Sequence, residues 1–307
     1  MKKVILPNGL EVSAVALGAM DFGTTTSKEK AFAVLDAYLG EGGNFVDTSN
    51  NYAHWQGTGD ESETLLGAYF SSRKCRDRVV LATKVGFDRH GRGQGLRKEQ
   101  IEYWIDESLR KLQTDYIDLY YAHTDDPDTP LEETMEAFHR LVEKGKVRHL
   151  GGSNYDTWRF AEANAVGKTP YTVMQQWFTY LQASGDKAPQ YIFNEYANRE
   201  RLRYLEAKNI PLVAYSCLAK GGYADPSRLP PELVTGERLG ILQTMAQEKG
   251  ISANALAVAW MVNLHRCKGF PRVIPLFGSS RVEHFMSNLS GADLPLTDQE
   301  LELLNQG

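Results

Sequence analysis

Cysteine is scarce in this chain: Cys75, Cys217 and Cys267 are the only three among 307 residues. An odd number, far apart and without Cys-x-x-Cys spacing, offers neither a disulfide framework nor a zinc site. Long apolar runs are missing too. The longest, such as 255–262, fall well short of the roughly 20 residues that cross a bilayer, so no membrane span is expected. Lys2 and Lys3 are followed by Pro7 and a turn before any apolar region develops, so no secretory signal is expected either. Positive charge is in deficit, with 34 Lys and Arg against 39 Asp and Glu. No basic run could follow a phosphate backbone, and nucleic acid is not an expected partner. These absences point to the cytoplasm. Linkers, internal repeats and low-complexity tracts are lacking as well, so residues 1–307 are expected to form one domain. The composition, 42% hydrophobic and 24% charged, is that of a globular protein with a large core.

What the chain does contain is a rhythm. Asn8-Gly9 lies between two short β-type runs and predicts a small hairpin ahead of the main fold. Eight strand-like segments follow, at 15–18, 44–47, 79–84, 116–123, 147–152, 171–175, 211–216 and 273–276. Their middles are apolar on both faces, as in a sheet covered by helices. The intervening segments have helical periodicity: Ile101, Trp104, Ile105, Leu109 and Leu112 form one stripe, and Leu131, Met135, Phe138 and Val142 another. Thr129-Pro130 predicts a helix start, and Gly145 and Gly250 predict stops. Such alternation means βα units on a parallel sheet, either open and doubly wound or closed into a barrel; periodicity does not separate the two. The longest irregular stretches, 86–97, 179–192 and 220–236, follow strands, where such folds carry functional loops. Gly167-Lys168-Thr169 imitates a phosphate loop, but Glu162 stands where its first glycine belongs and Pro170 interrupts the helix it needs.

Reactive side chains gather at the C-terminal ends of these strands. Asp47, Lys84 and His123 end the second, third and fourth, and Tyr52 follows Asp47 by five residues. A phenol titrates near 10 in isolation, so it exchanges protons at neutral pH only with help. Lys84 can stabilise its anion, Asp47 can hold the ammonium, and His123 can polarise a carbonyl oxygen. The set suits carbonyl reduction. It contains no nucleophile beside a base and no carboxylate pair, so hydrolysis fits less well.

The runs Gly43-Asn44-Phe45-Val46-Asp47-Thr48-Ser49-Asn50-Asn51-Tyr52, Gly59-Asp60-Glu61-Ser62-Glu63, Ala82-Thr83-Lys84 and Asp115-Tyr116-Ile117-Asp118-Leu119-Tyr120-Tyr121-Ala122-His123 resemble the aldo-keto reductase superfamily. The resemblance spans nearly the whole chain. Gly145-Lys146-Val147-Arg148 and Gly151-Gly152-Ser153-Asn154 are typical of its bacterial and channel-β-subunit-like branch. It implies an α/β fold, a (β/α)8 TIM barrel with a short N-terminal β-hairpin, that reduces a small-molecule carbonyl substrate with NADP(H) in preference to NAD(H). Asp47, Tyr52, Lys84 and His123 would be the catalytic tetrad. Cofactor positions carried over are Gly18 and Met20 after the first strand; Asp47; Ser153, Asn154 and Gln175 at the nicotinamide amide; Tyr215 stacking on its ring; Ser216, Leu218, Lys220 and Gly221 at the pyrophosphate; and Phe277, Gly278, Ser279, Arg281, His284 and Asn288 at the adenosine end. Two departures occur there: His284 replaces the usual glutamine, and Ser280 stands where a basic residue commonly meets the 2′-phosphate.

Plainer alternatives exist for each residue. Asp47 and Lys84 could be a buried pair that only braces the barrel, His123 and Tyr215 could be packing residues, and Arg281 a solvated helix-face charge. Phe22, Trp55, Trp177 and Phe178, with Tyr52 and His123, are the candidate pocket wall. Two other readings of the chain are a cofactor-binding regulatory subunit with little turnover and a barrel lyase or hydrolase. Monomer and homo-oligomer are equally compatible with the sequence.

Overall fold

The computed structural model describes residues 1–7, 9–87, 95–182, 196–233 and 235–306. Two short strands, β1 (Lys3–Ile5) and β2 (Glu11–Ser13), pair antiparallel as the hairpin. Asn8 of its turn lies outside the described residues. Leu6 N donates to Leu10 O at 2.8 Å, so the connection is longer than a two-residue turn, and Gly9 supplies the left-handed backbone it needs (φ 84°).

Eight parallel strands follow: β3 (Ala16–Gly18), β4 (Phe45–Asp47), β5 (Val80–Val85), β6 (Ile117–Ala122), β7 (Val147–Ser153), β8 (Tyr171–Trp177), β9 (Leu212–Tyr215) and β10 (Val273–Phe277). Each pairs with its successor, and β10 returns to β3 through Leu276 opposite Ala16 and Phe277 opposite Leu17, which closes the barrel. Every residue of β4, β5, β6 and β10 is buried, the consequence of side chains filling the inside while helices cover the outside.

Among the described residues ten α-helices surround the sheet: α1 (Lys28–Gly40), α2 (Glu61–Arg73), α3 (Lys98–Leu112), α4 (Leu131–Glu143), α5 (Thr157–Val166), α6 (Arg199–Ala207), α7 (Gly236–Glu248), α8 (Ala253–Asn263), α9 (Val282–Leu289) and α10 (Asp298–Leu304). Helix α3 buries Ile101, Trp104, Ile105 and Leu112, and α4 buries Leu131, Met135 and Phe138; Leu109 and Val142 at the stripe edges are only partly covered. Helix α8 is buried all round, which its lack of charge permits. None of the described helices is long and apolar enough to cross a membrane. The expected glycine stops hold: Gly145 and Gly250 follow the last turns of α4 and α7 with positive φ. Thr129 differs from expectation. Its hydroxyl donates to Asp126 Oδ2 (2.6 Å), and Pro130 takes the N-cap position of α4 without a side-chain bond.

The hairpin sits at the N-terminal end of the strands. Asn44, just before β4, accepts from Ser13 N (2.6 Å) and donates to Glu11 O (3.0 Å), while Tyr38 of α1 accepts from Phe45 N (3.0 Å) beside Ser13. The opposite end is left for the loops that leave the strands.

Candidate active site

Asp47 is the last residue of β4, Lys84 the penultimate residue of β5, and His123 follows β6 directly. After β4 the chain stays on β5 for a few residues, with Thr48 N on Ala82 O (2.9 Å) and Asn50 N on Lys84 O (3.4 Å). It then turns through left-handed Ala53 (φ 57°), which brings Tyr52 back over the barrel mouth. Lys84 Nζ donates to Asp47 Oδ1 (2.5 Å), to Thr48 O (2.7 Å) and to the Tyr52 hydroxyl (2.6 Å), and that hydroxyl donates to Asp47 Oδ1 (2.9 Å). The Tyr52 and His123 rings meet edge to face at 5.9 Å. Asp47 and Lys84 are fully buried, whereas Tyr52 and His123 are partly open.

Burial, then the Asp47 carboxylate, push the Tyr52 phenol well above its ordinary range. From sequence, Lys84 was expected to make this phenol acidic; burial and the Asp47 carboxylate act in the opposite direction and favour the neutral phenol. Burial lowers the Lys84 ammonium, and Asp47 partly restores it. Burial, then Lys84, hold His123 well below its usual value, so its ring is neutral. Its Nδ1 lies 3.1 Å from Ser49 Oγ.

Around this centre Gln175 Nε2 donates to Asp47 Oδ2 (2.9 Å). Asn154, in left-handed backbone (φ 55°), donates to His123 O (2.9 Å) and to Ser153 Oγ (3.2 Å) and accepts from Tyr215 OH (2.8 Å). Gln175, Ser153, Asn154 and Tyr215 therefore share one hydrogen-bonded rim with the four reactive residues. Gly18 lies at the seam of β3 and β10: a Cβ on Gly278 would stand 2.3 Å from Gly18 O. Met20 is 41% exposed beyond it.

The loop after β9 passes through positive φ at Ser216, Ala219, Lys220 and Gly221, a backbone form that turns amide groups toward one side. Leu218 precedes that turn and is buried. A Cβ on Gly221 would lie 3.4 Å from Arg228 Nη1, a guanidinium not picked out from sequence. Beyond β10, Ser279 Oγ accepts from Arg281 N (3.1 Å), and the first turn of α9 has no side-chain cap. Arg281 and His284 are exposed there and Asn288 is half-buried, with Phe277 buried beneath. Uncapped amides with Lys220, Arg228 and Arg281 near the same two strand ends fit an anionic, phosphate-bearing group.

The candidate pocket aromatics separate. Trp55 is 58% exposed at the mouth. Phe178 is committed to the core, stacked on Trp260 at 5.7 Å, and Trp177 is buried against Tyr196. Phe22 is also buried. Phe87, passed over in the sequence, packs its ring 4.5 Å from His123. Ser49 was missed as well, although it stands inside the motif that contains Asp47 and Tyr52. Most of the irregular stretches 86–97 and 179–192 lies outside the described residues.

Comparison with known proteins identifies the family. The model of the aldo/keto reductase family matches residues 14–306. A norsolorinic acid reductase of Emericella nidulans is 33% identical over 321 residues, covering 95% of this chain and 77% of the relative. An aryl-alcohol dehydrogenase [NADP(+)] of Phanerodontia chrysosporium is 29% identical over 344 residues, 97% of this chain and 83% of its own. Among solved structures, the thermostable aldo-keto reductase Tm1743, crystallised with the inhibitor epalrestat, superposes with a TM-score of 0.78 at 25% identity and 99% coverage of both chains. With closed barrel, strand-end residues and family match in agreement, the chain belongs to the aldo/keto reductase family.

Proposed function

We propose that this protein is an NADPH-dependent reductase of an aldehyde or ketone, acting as one unit of residues 1–307 in the cytoplasm, with Tyr52 as proton donor. The observation that carries the reading is the meeting of Tyr52, Lys84 and Asp47 within hydrogen-bond distance at the C-terminal end of the barrel strands beside a neutral His123. Reduced nicotinamide, when bound, supplies the hydride. Ser153, Asn154 and Gln175 would hold its amide and Tyr215 its ring, with the 216–221 loop and the start of α9 at the phosphates.

A carbonyl that gains hydride becomes an alkoxide, a stronger base than phenolate. A fully protonated phenol with a raised pKa therefore still suffices as donor. In the structure the Tyr52 hydroxyl donates to Asp47 Oδ1, so proton donation to substrate requires the O–H to swing from Asp47 to the substrate oxygen. Lys84, already 2.6 Å from the phenol oxygen, stabilises the phenolate that remains. Ser49 Oγ donates to Asn51 Oδ1 (2.8 Å), so His123 serves once that hydroxyl turns to its Nδ1, because the resulting tautomer leaves Nε2–H free for the carbonyl oxygen.

The preference for NADP(H) over NAD(H) is supported by the NADP(+) in the name of the Phanerodontia chrysosporium relative and by Lys220, Arg228 and Arg281 at the phosphate end. Placement near the bacterial and channel-β-subunit-like branch rests only on sequence motifs, the runs Thr129 to Thr134, Gly145 to Arg148 and Gly151 to Asn154; the curated relatives above are fungal. Fluorescence titration with NADPH and NADH, followed by turnover of an activated aldehyde, tests the reading. Tyr52→Phe is expected to lower turnover by roughly 10²–10⁴-fold while NADPH still binds. A variant that keeps its turnover removes Tyr52 from the role.

A further inference from the structure

The motif residues Ser62 and Glu63 open α2 on the outer side of the barrel wall, and both are fully buried. Ser62 Oγ donates to Ala19 O (2.7 Å), so it accepts the Thr48 hydroxyl at 2.7 Å. Thr48 is the residue after Asp47, and its carbonyl receives Lys84 Nζ. The Thr83 hydroxyl donates to Glu63 Oε1 at 2.7 Å, and Thr83 directly precedes Lys84. Two consecutive residues of one helix thus grip the neighbours of Asp47 and of Lys84 on adjacent strands. Glu63 Oε2 lies 2.6 Å from Lys111 Nζ of α3, and Lys111 also reaches Asp60 at 3.0 Å. The close seating of α2 on α3 is built in: a Cβ on Gly67 would stand 2.1 Å from Lys111 O.

Resting on the function proposed above, we propose that Glu63, seconded by Ser62, is a positioning residue that acts through Thr83 and Lys84, setting the Asp47–Lys84 pair from behind the strands and keeping its ammonium charged. A helix anchor alone would need only a hydrogen-bond acceptor at position 63. A carboxylate in a wall this dry is costly to keep ionised unless its charge is used, and Lys111 with half-exposed Asp60 leaves net negative charge behind β5. After Asp47, Glu63 is the next group favouring the charged form of Lys84. The other groups around Lys84 are Tyr52 from the loop, Tyr121 of β6 with its ring centroid 5.8 Å from Nζ, and His123 beyond it; none carries a negative charge in the neutral-phenol state.

Glu63→Gln separates charge from anchoring, because glutamine still accepts from Thr83. The pH dependence of kcat and KM, the NADPH affinity, and the ¹³Cε resonance of Lys84, assigned by its loss in Lys84→Arg, are measured for both proteins. The Lys84 midpoint and the alkaline limb of kcat are expected to fall together by about 0.5–1 pH unit, with NADPH affinity unchanged. Unmoved midpoint and limb overturn the proposal. Should Glu63→Gln fail to fold, Glu63→Gln with Lys111→Met and Asp60→Asn removes the whole charged set and its net negative charge, and a downward shift is again expected. Thr83→Val keeps the charge and is expected to lower kcat without moving the limb; an equal shift there would mean strand displacement and overturn the electrostatic role. The resonance titration requires no turnover. An inactive wild type with a shifted Lys84 midpoint sinks only the reductase reading, whereas an active one with an unshifted midpoint sinks only this inference.

Discussion

A neutral imidazole beside a buried ammonium makes His123 a sensor of acid. Its folded pKa is depressed below the ordinary value of about 6.5, so on acidification the unfolded chain binds a proton that the folded one refuses. The contribution is fully retained above that ordinary value and is lost as pH falls from about 6.5 toward the folded pKa. His149 and His265, also lowered by burial, act in the same sense. Urea unfolding between about pH 7.5 and 5.5 is therefore expected to show declining stability, with a shallower decline in His123→Gln. An unchanged slope in the variant would remove His123 from the account. At this scale the sequence was informative where strand ends converge, which is why Asp47, Tyr52, Lys84 and His123 could be named together. It was uninformative about facing: in strands apolar on both sides, nothing tells that Phe178 stacks on Trp260 while Phe87 approaches His123. It was equally silent on whether Lys84 or Asp47 dominates the phenol, which depends on burial.

Elements were legible to within a residue or two at nearly every strand end, because apolar runs of that length between turn signals have few other readings. Closure was not, since an open sheet shows the same rhythm; it rests on β10 finding β3 more than 250 residues away in sequence. That seam relies on Gly278, whose Cβ would collide with a backbone oxygen that has nowhere to retreat. Gly278→Ala is expected to cost about 1–3 kcal/mol in chemical denaturation. Gly240, inside α7 with no atom within 4 Å of a built Cβ, is the control: Gly240→Ala is expected to stabilise by about 0.5–1 kcal/mol. Equal effects at the two glycines would contradict this account of the seam.

Over the whole molecule, the two ends of the barrel divide the work. The hairpin, Asn44 and Tyr38 secure the N-terminal end, and every reactive residue lies at the other. Asn44→Ala removes both of its side-chain bonds to the hairpin and is expected to cost about 1–3 kcal/mol of stability while KM for an aldehyde stays unchanged. A raised KM with unaltered stability would show that the ends are coupled. A sheet rolled shut has a further consequence. Among the described residues, free strand edges occur only on the three-residue hairpin strands, which carry Lys3 and Glu11, so the native protein offers little template for strand addition by another molecule. When such a solution is warmed, binding of an amyloid-reporting dye should begin only after the barrel has opened, and its onset should follow the melting curve instead of preceding it.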